Sequence, residues 1–295
     1  MTFTTRFAPS PTGPLHLGHA YSAMLAHDMA KESGGAFLLR IEDIDGSRAR
    51  PDWEQQIYDD LEWLGLDWSL PVMRQSDRLA TYRETINQLW WDKFLYRCDC
   101  NRRDIAQAAS APQEGAPLLG PDGVIYPGTC RNAVLERDHY PIPAPDSAAL
   151  RLDMSSVPNG VAHEGIFSFT ETGLGPDEET GKIEFDMSEV SREIGDIVLA
   201  RKDMGTSYHL SVVLDDAAQG ITHVIRGQDL FEATKIHVIL QRLLGLPTPT
   251  YHHHELIRDE QGKRLAKRDD ARAIAKYRAD GFSPSDIRKM VGLPG

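Results

Sequence analysis

The first 41 residues constrain the fold more than any other part of the chain. Thr4 to Phe7 reads as a short strand, and it runs into Ala8-Pro9-Ser10-Pro11-Thr12-Gly13-Pro14, a proline-rich turn through which neither helix nor strand continues. From about Gly18, the residues Tyr21, Met24, Leu25, Asp28 and Met29 recur at helical spacing, and Gly34-Gly35 supplies a stop. Ala36-Phe37-Leu38-Leu39-Arg40-Ile41 is then a compact apolar run suited to a buried parallel strand. Strand, loop, helix, strand is a βαβ unit, which commits the chain to an α/β fold.

Pro51 opens a further helix whose stripe of Ile57, Leu61 and Leu64 ends at Gly65, and another is expected between Leu79 and Leu95 on Leu79, Tyr82, Ile86 and Leu89. The texture changes at Cys98. Ala108 to Asp146 is rich in Ala, Pro, Gly and Asp without a steady period, and reads as loops around a local fixing point. Regular structure resumes near Asp196: Ile197 to Ala200, Tyr208 to Leu214 and Ile221 to Arg226 read as strands or strand-helix joins. The expected division is a first half of a nucleotide-binding domain over 1–97, an insertion over 98–190, the second half over 191–248, and a basic loop with a helical segment over 249–295.

A hydrophobic content of 41% and a charged content of 26% belong to a folded domain rather than a disordered chain. No apolar run is long enough to span a bilayer, and Met1 to Arg6 lacks the regions of a signal peptide, so a cytoplasmic protein without membrane partners is expected. The formal net charge of -12 argues against nucleic acid. Lys263, Arg264, Lys267, Arg268, Arg272 and Lys276 nevertheless gather in one segment, where a local basic face can form.

His16 and His19 stand three apart where the first strand hands over to the first helix, the place at which open α/β sheets bind ligands. Both imidazoles can point the same way and donate to the phosphates of ATP, while Gly18 leaves room for a nucleotide ring or sugar. The plainer alternative is a pair of capping or core histidines. Cys98, Cys100 and Cys130 are an odd number, which no closed disulfide framework uses up. Three thiolates with one further ligand suit tetrahedral zinc; the alternative is a set of small buried hydrophobes.

Arg6-Phe7-Ala8-Pro9-Ser10-Pro11-Thr12-Gly13 followed by His16-Leu17-Gly18-His19 resembles the opening of the glutamyl-tRNA synthetases, including the HIGH-type ATP motif of class I. Gly262-Lys263-Arg264-Leu265-Ala266-Lys267-Arg268, preceded by Tyr251-His252-His253-His254-Glu255-Leu256-Ile257, resembles the family's KMSKS-type loop, with Arg264 and Ala266 as departures. The resemblance implies a class I Rossmann-type catalytic domain split by a zinc-bearing insertion, with a short C-terminal helical segment. It further implies activation of L-glutamate by ATP and Mg²⁺. His16, His19 and Lys267 are then the catalytic residues. Arg6, Ala8, Ser10, Glu42, Tyr208 and Arg226 line the glutamate site, the last two holding the side-chain carboxylate. Pro9, Thr12, His16, Gly18, His19, Gln228, Asp229 and Lys267 take ATP.

By the same resemblance, zinc is held by Cys98, Cys100, Tyr126 and Cys130, with His139 or water as alternatives to the tyrosine. The chain reaches Gly295 soon after Arg268, which leaves no room for an anticodon-binding domain. It therefore resembles the truncated branch of the family that attaches glutamate to queuosine in tRNA(Asp), and a monomer is expected. A compact enzyme charging the 3′ end of tRNA(Glu), a small-molecule nucleotidylyltransferase and a non-catalytic amino-acid- or RNA-binding relative are the rival readings.

Overall fold

The computed structural model describes residues 2–110, 119–121, 123–131, 142–157, 165–257 and 272–294. In chain order the elements are β1 (Thr4–Phe7), α1 (Leu17–Glu32), β2 (Ala36–Ile41), α2 (Pro51–Trp63), β3 (Ser69–Arg74), α3 (Leu79–Trp91), β4 (Leu95–Cys98) and α4 (Arg102–Ser110). The middle contributes β5 (Leu119–Gly120), β6 (Gly123–Val124), β7 (Ala149–Leu152), β8 (Ile166–Glu171), β9 (Gly181–Asp186), α5 (Met187–Glu193) and β10 (Val198–Ala200). The last part holds α6 (Tyr208–Ala218), β11 (His223–Gly227), α7 (Ala233–Leu243), β12 (Thr250–His254), α8 (Ile274–Ala279) and α9 (Pro284–Met290).

β1, β2 and β3 form a parallel sheet in the order β3-β2-β1, and β11, β12 and β8 form another parallel run with β9 added antiparallel. The two join edge to edge: Thr222 donates its N–H to the Thr4 carbonyl at 2.9 Å, and the Thr4 N–H reaches the Thr222 hydroxyl at 2.8 Å. The chain thus builds outward from β1 in one direction, then returns to build from β11 in the other. The crevice beyond the carboxyl ends of β1 and β11 is the switch point at which such sheets take ligands. Two apolar cores flank it, one under α1 and α2 with Leu39, Ile41 and Met24, the other around α6 and α7 with Leu210, Ile236 and Leu240.

Several expectations shift. The helix from Leu79 ends at Trp91, because Lys93 takes a positive φ of 66° and turns the chain into β4, so Leu95 is a strand residue. Tyr208 to Leu214 belongs to a helix: the Ser207 hydroxyl accepts from the Leu210 N–H and caps it. α4 runs into the segment read as loops, and β5 and β6 form a minimal hairpin within it. β3 had no signal in the sequence. A separate antiparallel sheet, β10-β7-β4, carries the cysteine-bearing segment.

Candidate active site

The turn after β1 is clamped from both sides. The Glu42 N–H donates to the Pro9 carbonyl and the Arg50 N–H to the Pro11 carbonyl, each at 3.0 Å. That tie puts the start of α1 beside the carboxyl end of β2. His16 is the N-cap of α1: its Nδ1 accepts from the Gly18 N–H, and the His19 Nδ1 accepts from the His16 N–H, both at 3.2 Å. The capping reading of these histidines is therefore realised. It also fixes their chemistry, because a ring accepting at Nδ1 carries its proton on Nε2. Two stacked imidazoles, with centroids 3.7 Å apart, are thus held as Nε2 donors at a helix N-terminus, where backbone amides favour an anion. A Cβ on Gly18 would lie 3.2 Å from the His16 ring, so the glycine gives that ring its place.

Lys267 and the whole basic loop around it, like His139, lie outside the described residues. The two flanks of that loop meet the motif. Before it, the His254 Nε2 lies 2.7 Å from the Ser22 hydroxyl, one turn along α1. After it, the Ile274 N–H donates to the Leu15 carbonyl at 2.9 Å and Ala273 pairs with His16.

The arginines stand on the adjoining strands. Arg6, on β1, is 6% exposed and grips Asp216 of α6 through Nε at 3.0 Å and Nη2 at 3.3 Å. Arg40, on β2, is fully buried and donates to Asp216 at 2.7 Å and to Glu42 at 3.1 Å. Burial raises the Glu42 carboxyl above its ordinary value, against the pull of Arg40 and Arg6. Arg226, on β11, is 6% exposed. Burial also raises the Tyr208 hydroxyl, opposed by Arg226 and Arg6 and reinforced by Glu42, so the phenol stays protonated within the field of both arginines.

Arg6 and Glu42 are linked through Asp216 and Arg40, while the Tyr208 ring lies 5.7 Å from that of His237, which accepts an N–H of Arg226. Pro9 is buried, Ala8 and Thr12 are half-buried and Ser10 is exposed on the clamped turn, while Gln228 and Asp229 follow β11 on the same rim.

Sequence reasoning missed the groups behind these. Asp216 and Arg40 fix Arg6, and His253, His237 and Thr234 surround Arg226. One signal was available: an arginine inside the apolar run of β2 needs a buried acid somewhere.

Cys98, Cys100 and Cys130 place their sulfurs within 4.8 Å of one another. The Cys100 and Cys130 sulfurs are 3.5 Å apart, and the Tyr126 hydroxyl sits 3.5 Å from Cys98 and 3.6 Å from Cys100. Edges of that length match a tetrahedron around zinc, where bonds of roughly 2.0–2.3 Å give ligand separations of about 3.3–3.8 Å. The three clustered cysteines can bind a metal such as zinc. Burial pushes the Cys100 thiol up to about 11, a cost that a cation removes. Arg151 lies over the Tyr126 ring at 3.8 Å and donates to the Asp196 carbonyl, while the Asp196 carboxylate accepts from Tyr96 and Arg131. The cysteine-bearing segment is thereby tied to β4, β7 and the start of β10.

The sequence matches the family described as tRNA synthetases class I (E and Q), catalytic domain, over residues 2–120 and 172–295, so that the match breaks across the insertion. It is 62% identical over 294 residues to the glutamyl-Q tRNA(Asp) synthetase of Rhodobacter capsulatus, covering 98% of this chain and 99% of that one. A second glutamyl-Q tRNA(Asp) synthetase, from Geobacter sulfurreducens, is 38% identical over 274 residues, covering 92% and 78%. The solved glutamate tRNA ligase of Elizabethkingia meningosepticum, in complex with its amino acid, superposes with a TM-score of 0.72 at 26% identity, with this chain spanning 61% of its length. The chain belongs to the class I synthetase family for glutamate and glutamine and, within it, groups with the glutamyl-Q tRNA(Asp) synthetases.

Proposed function

We propose that the chain activates L-glutamate with ATP to glutamyl-adenylate, without tRNA, and transfers the glutamate to queuosine in the anticodon of tRNA(Asp). The observation that carries this reading is the placement of Arg6 and Arg226 on the adjoining strands β1 and β11, with Glu42 and Tyr208 on the elements that flank them, beside a helix start whose two imidazoles carry Nε2 hydrogens. The relatives named as glutamyl-Q tRNA(Asp) synthetases supply the acceptor.

In this reading the Glu42 carboxylate and the Ser10 hydroxyl accept from the glutamate ammonium. Arg6 and Arg226 take the carboxylates, and the Tyr208 hydroxyl donates to the side-chain one. A neutral carboxamide in that place would leave Arg226 without its counter-charge, which favours glutamate over glutamine. The α-carboxylate attacks the α-phosphorus of ATP in line, and pyrophosphate leaves. His16 and His19 donate to the phosphates as charge builds, Lys267 adds a point charge, and Pro9, Thr12, Gly18, Gln228 and Asp229 shape the nucleotide seat. No covalent enzyme nucleophile takes part.

Mg²⁺ is expected on the phosphates of ATP, neutralising their charge when bound. Zinc would be held by Cys98, Cys100, Tyr126 and Cys130 and would be structural, serving the 98–190 insertion between the catalytic halves 1–97 and 191–248, with 249–295 carrying the KMSKS-like loop and a helical segment. No helix of the described residues is long and apolar enough to cross a membrane, and we take the protein as cytoplasmic and monomeric.

Incubation with radiolabelled glutamate, ATP and tRNA(Asp), with and without queuosine, tests the whole reading. Glutamate-dependent ATP-pyrophosphate exchange without tRNA and label only on queuosine-bearing tRNA are the expected results. Label on queuosine-lacking tRNA points to 3′-end charging instead, and exchange that ignores glutamate ends the proposal.

A further inference from the structure

Behind Arg226 stands a set of buried groups that the reaction does not use. A guanidinium has five N–H hydrogens and no acceptor, so every contact to it is a donation by the arginine. The Nε–H of Arg226 goes to the His253 Nε2 at 3.1 Å. The two Nη2 hydrogens go to the Thr234 hydroxyl at 2.7 Å and the Leu230 carbonyl at 3.3 Å. One Nη1 hydrogen goes to the His237 Nδ1 at 3.2 Å. The remaining Nη1 hydrogen has no partner among the described residues.

The two histidine acceptors are set from behind. Because His253 accepts at Nε2, its proton lies on Nδ1, which faces the Glu171 carboxylate at 2.5 Å. Glu171 also accepts from the backbone N–H groups of His253 at 2.9 Å and Gly173 at 2.7 Å, and it is 1% exposed, as is His253. His237 accepts at Nδ1, so its Nε2 hydrogen turns to the His209 Nδ1 at 3.1 Å. Burial lowers the pKa of both His253 and His237, with Arg226 adding to the fall, so each ring stays neutral and keeps a lone pair toward the arginine. The segment after Glu171 seals the arrangement: a Cβ on Gly173 would run into the His253 carbonyl oxygen.

We propose that Glu171 and His253 are positioning residues for the side-chain end of the glutamate site. Glu171 selects the tautomer of His253, His253 turns the Arg226 fork, and a single Nη1 hydrogen is left for one carboxylate oxygen, with the Tyr208 hydroxyl as the second donor. The inference rests on reading Arg226 as glutamate-binding. It goes beyond that reading by assigning selectivity to groups that never touch the substrate.

The test is glutamate-dependent ATP-pyrophosphate exchange with the full chain, made as His253→Leu, Arg226→Ala and the double variant, each checked by thermal melting. His253→Leu removes a charge-assisted hydrogen bond and is expected to raise the KM for glutamate about tenfold while leaving the KM for ATP within about twofold. In the Arg226→Ala background the same substitution is expected to change the glutamate KM by less than about twofold, because there is no fork left to turn. His253→Gln, whose amide oxygen can accept the Nε–H, should keep most of the affinity.

Where His253→Leu does not fold, Glu171→Gln carries the same comparison. Equal rises in both backgrounds, or a rise shared by ATP, would overturn the positioning role. If Arg226→Ala itself leaves the glutamate KM unchanged, the glutamate-binding reading of Arg226 falls first and the inference falls with it.

Discussion

Asp216→Asn is the sharpest single test of the buried charge arrangement. The Asp216 carboxylate accepts from Arg6 at 3.0 and 3.3 Å and from Arg40 at 2.7 Å, and the three side chains are at most 9% exposed. An asparagine keeps the volume, yet turns an amide N–H₂ toward one guanidinium and removes the only carboxylate within ion-pair distance of Arg6 among the described residues, leaving Glu42 as a more distant counter-charge. Arg40 keeps Glu42 at 3.1 Å and Asp215 at 4.0 Å, so the loss falls mainly on Arg6. Breaking a buried pair from one side costs about 3–5 kcal/mol, and the retained partners of Arg40 place this case at roughly 3 kcal/mol. With an unfolding entropy of about 2 cal/mol/K per residue, that corresponds to a fall in Tm of roughly 5 °C.

The pH dependence has a definite sign. Burial pushes the Asp216 carboxyl up, but Arg6 and Arg40 outweigh it and hold it below its ordinary value. A carboxyl lowered in the folded state contributes stability that is present above its unfolded pKa and is lost as pH falls through the folded one. Urea titrations of both proteins should therefore converge in acid and separate toward neutrality, and the variant should also show a raised KM for glutamate in pyrophosphate exchange. A neutral-pH difference below about 1 kcal/mol, with an unchanged KM, would refute the claim that Asp216 sets Arg6.

Two further outcomes bear on the remaining assignments. Lys267→Ala should lower kcat for pyrophosphate exchange by about 100-fold or more with little change in glutamate KM, as expected of a charge that acts on the transition state; an unchanged kcat removes it from the chemistry. Metal analysis of the purified chain should find close to one zinc per molecule, and Cys100→Ser should lower both that content and Tm; equal zinc in the two proteins would break the assignment of Cys100.

The parts of the fold that could be read from sequence are those whose punctuation is local. β1, the proline turn, α1, β2 and α2 stand where spacing and Pro or Gly boundaries put them, because each is decided by a few neighbouring residues. β3 was silent for a physical reason. Ser69-Leu70-Pro71-Val72-Met73-Arg74 contains a proline, which argues against an interior strand, and among the described residues β3 is indeed an edge, pairing only with β2. α6 misled in the opposite way: Tyr208-His209-Leu210-Ser211-Val212-Val213-Leu214 is β-branched and apolar enough for a strand, and a single cap at Ser207 together with burial on most of its faces makes it a helix.

The candidate site divides along the same line, which says something about how such a site is built. The groups proposed to meet glutamate and ATP sit at strand ends and helix starts, so short motifs betray them. The groups that aim those residues do not. Arg40 meets Asp216 across 176 positions, and Glu171 meets His253 across 82; neither pair has a local pattern, because the first exists only once α6 packs against β2 and the second only once β8 and β12 pair. A buried arginine nonetheless leaves one trace in a sequence, a charge inside an apolar strand, and the acid it requires must be found in tertiary structure. Selectivity in this cleft is therefore expected to respond to substitutions at positions that touch no ligand, and Asp216, Glu171 and His253 are the three where the geometry makes that expectation quantitative.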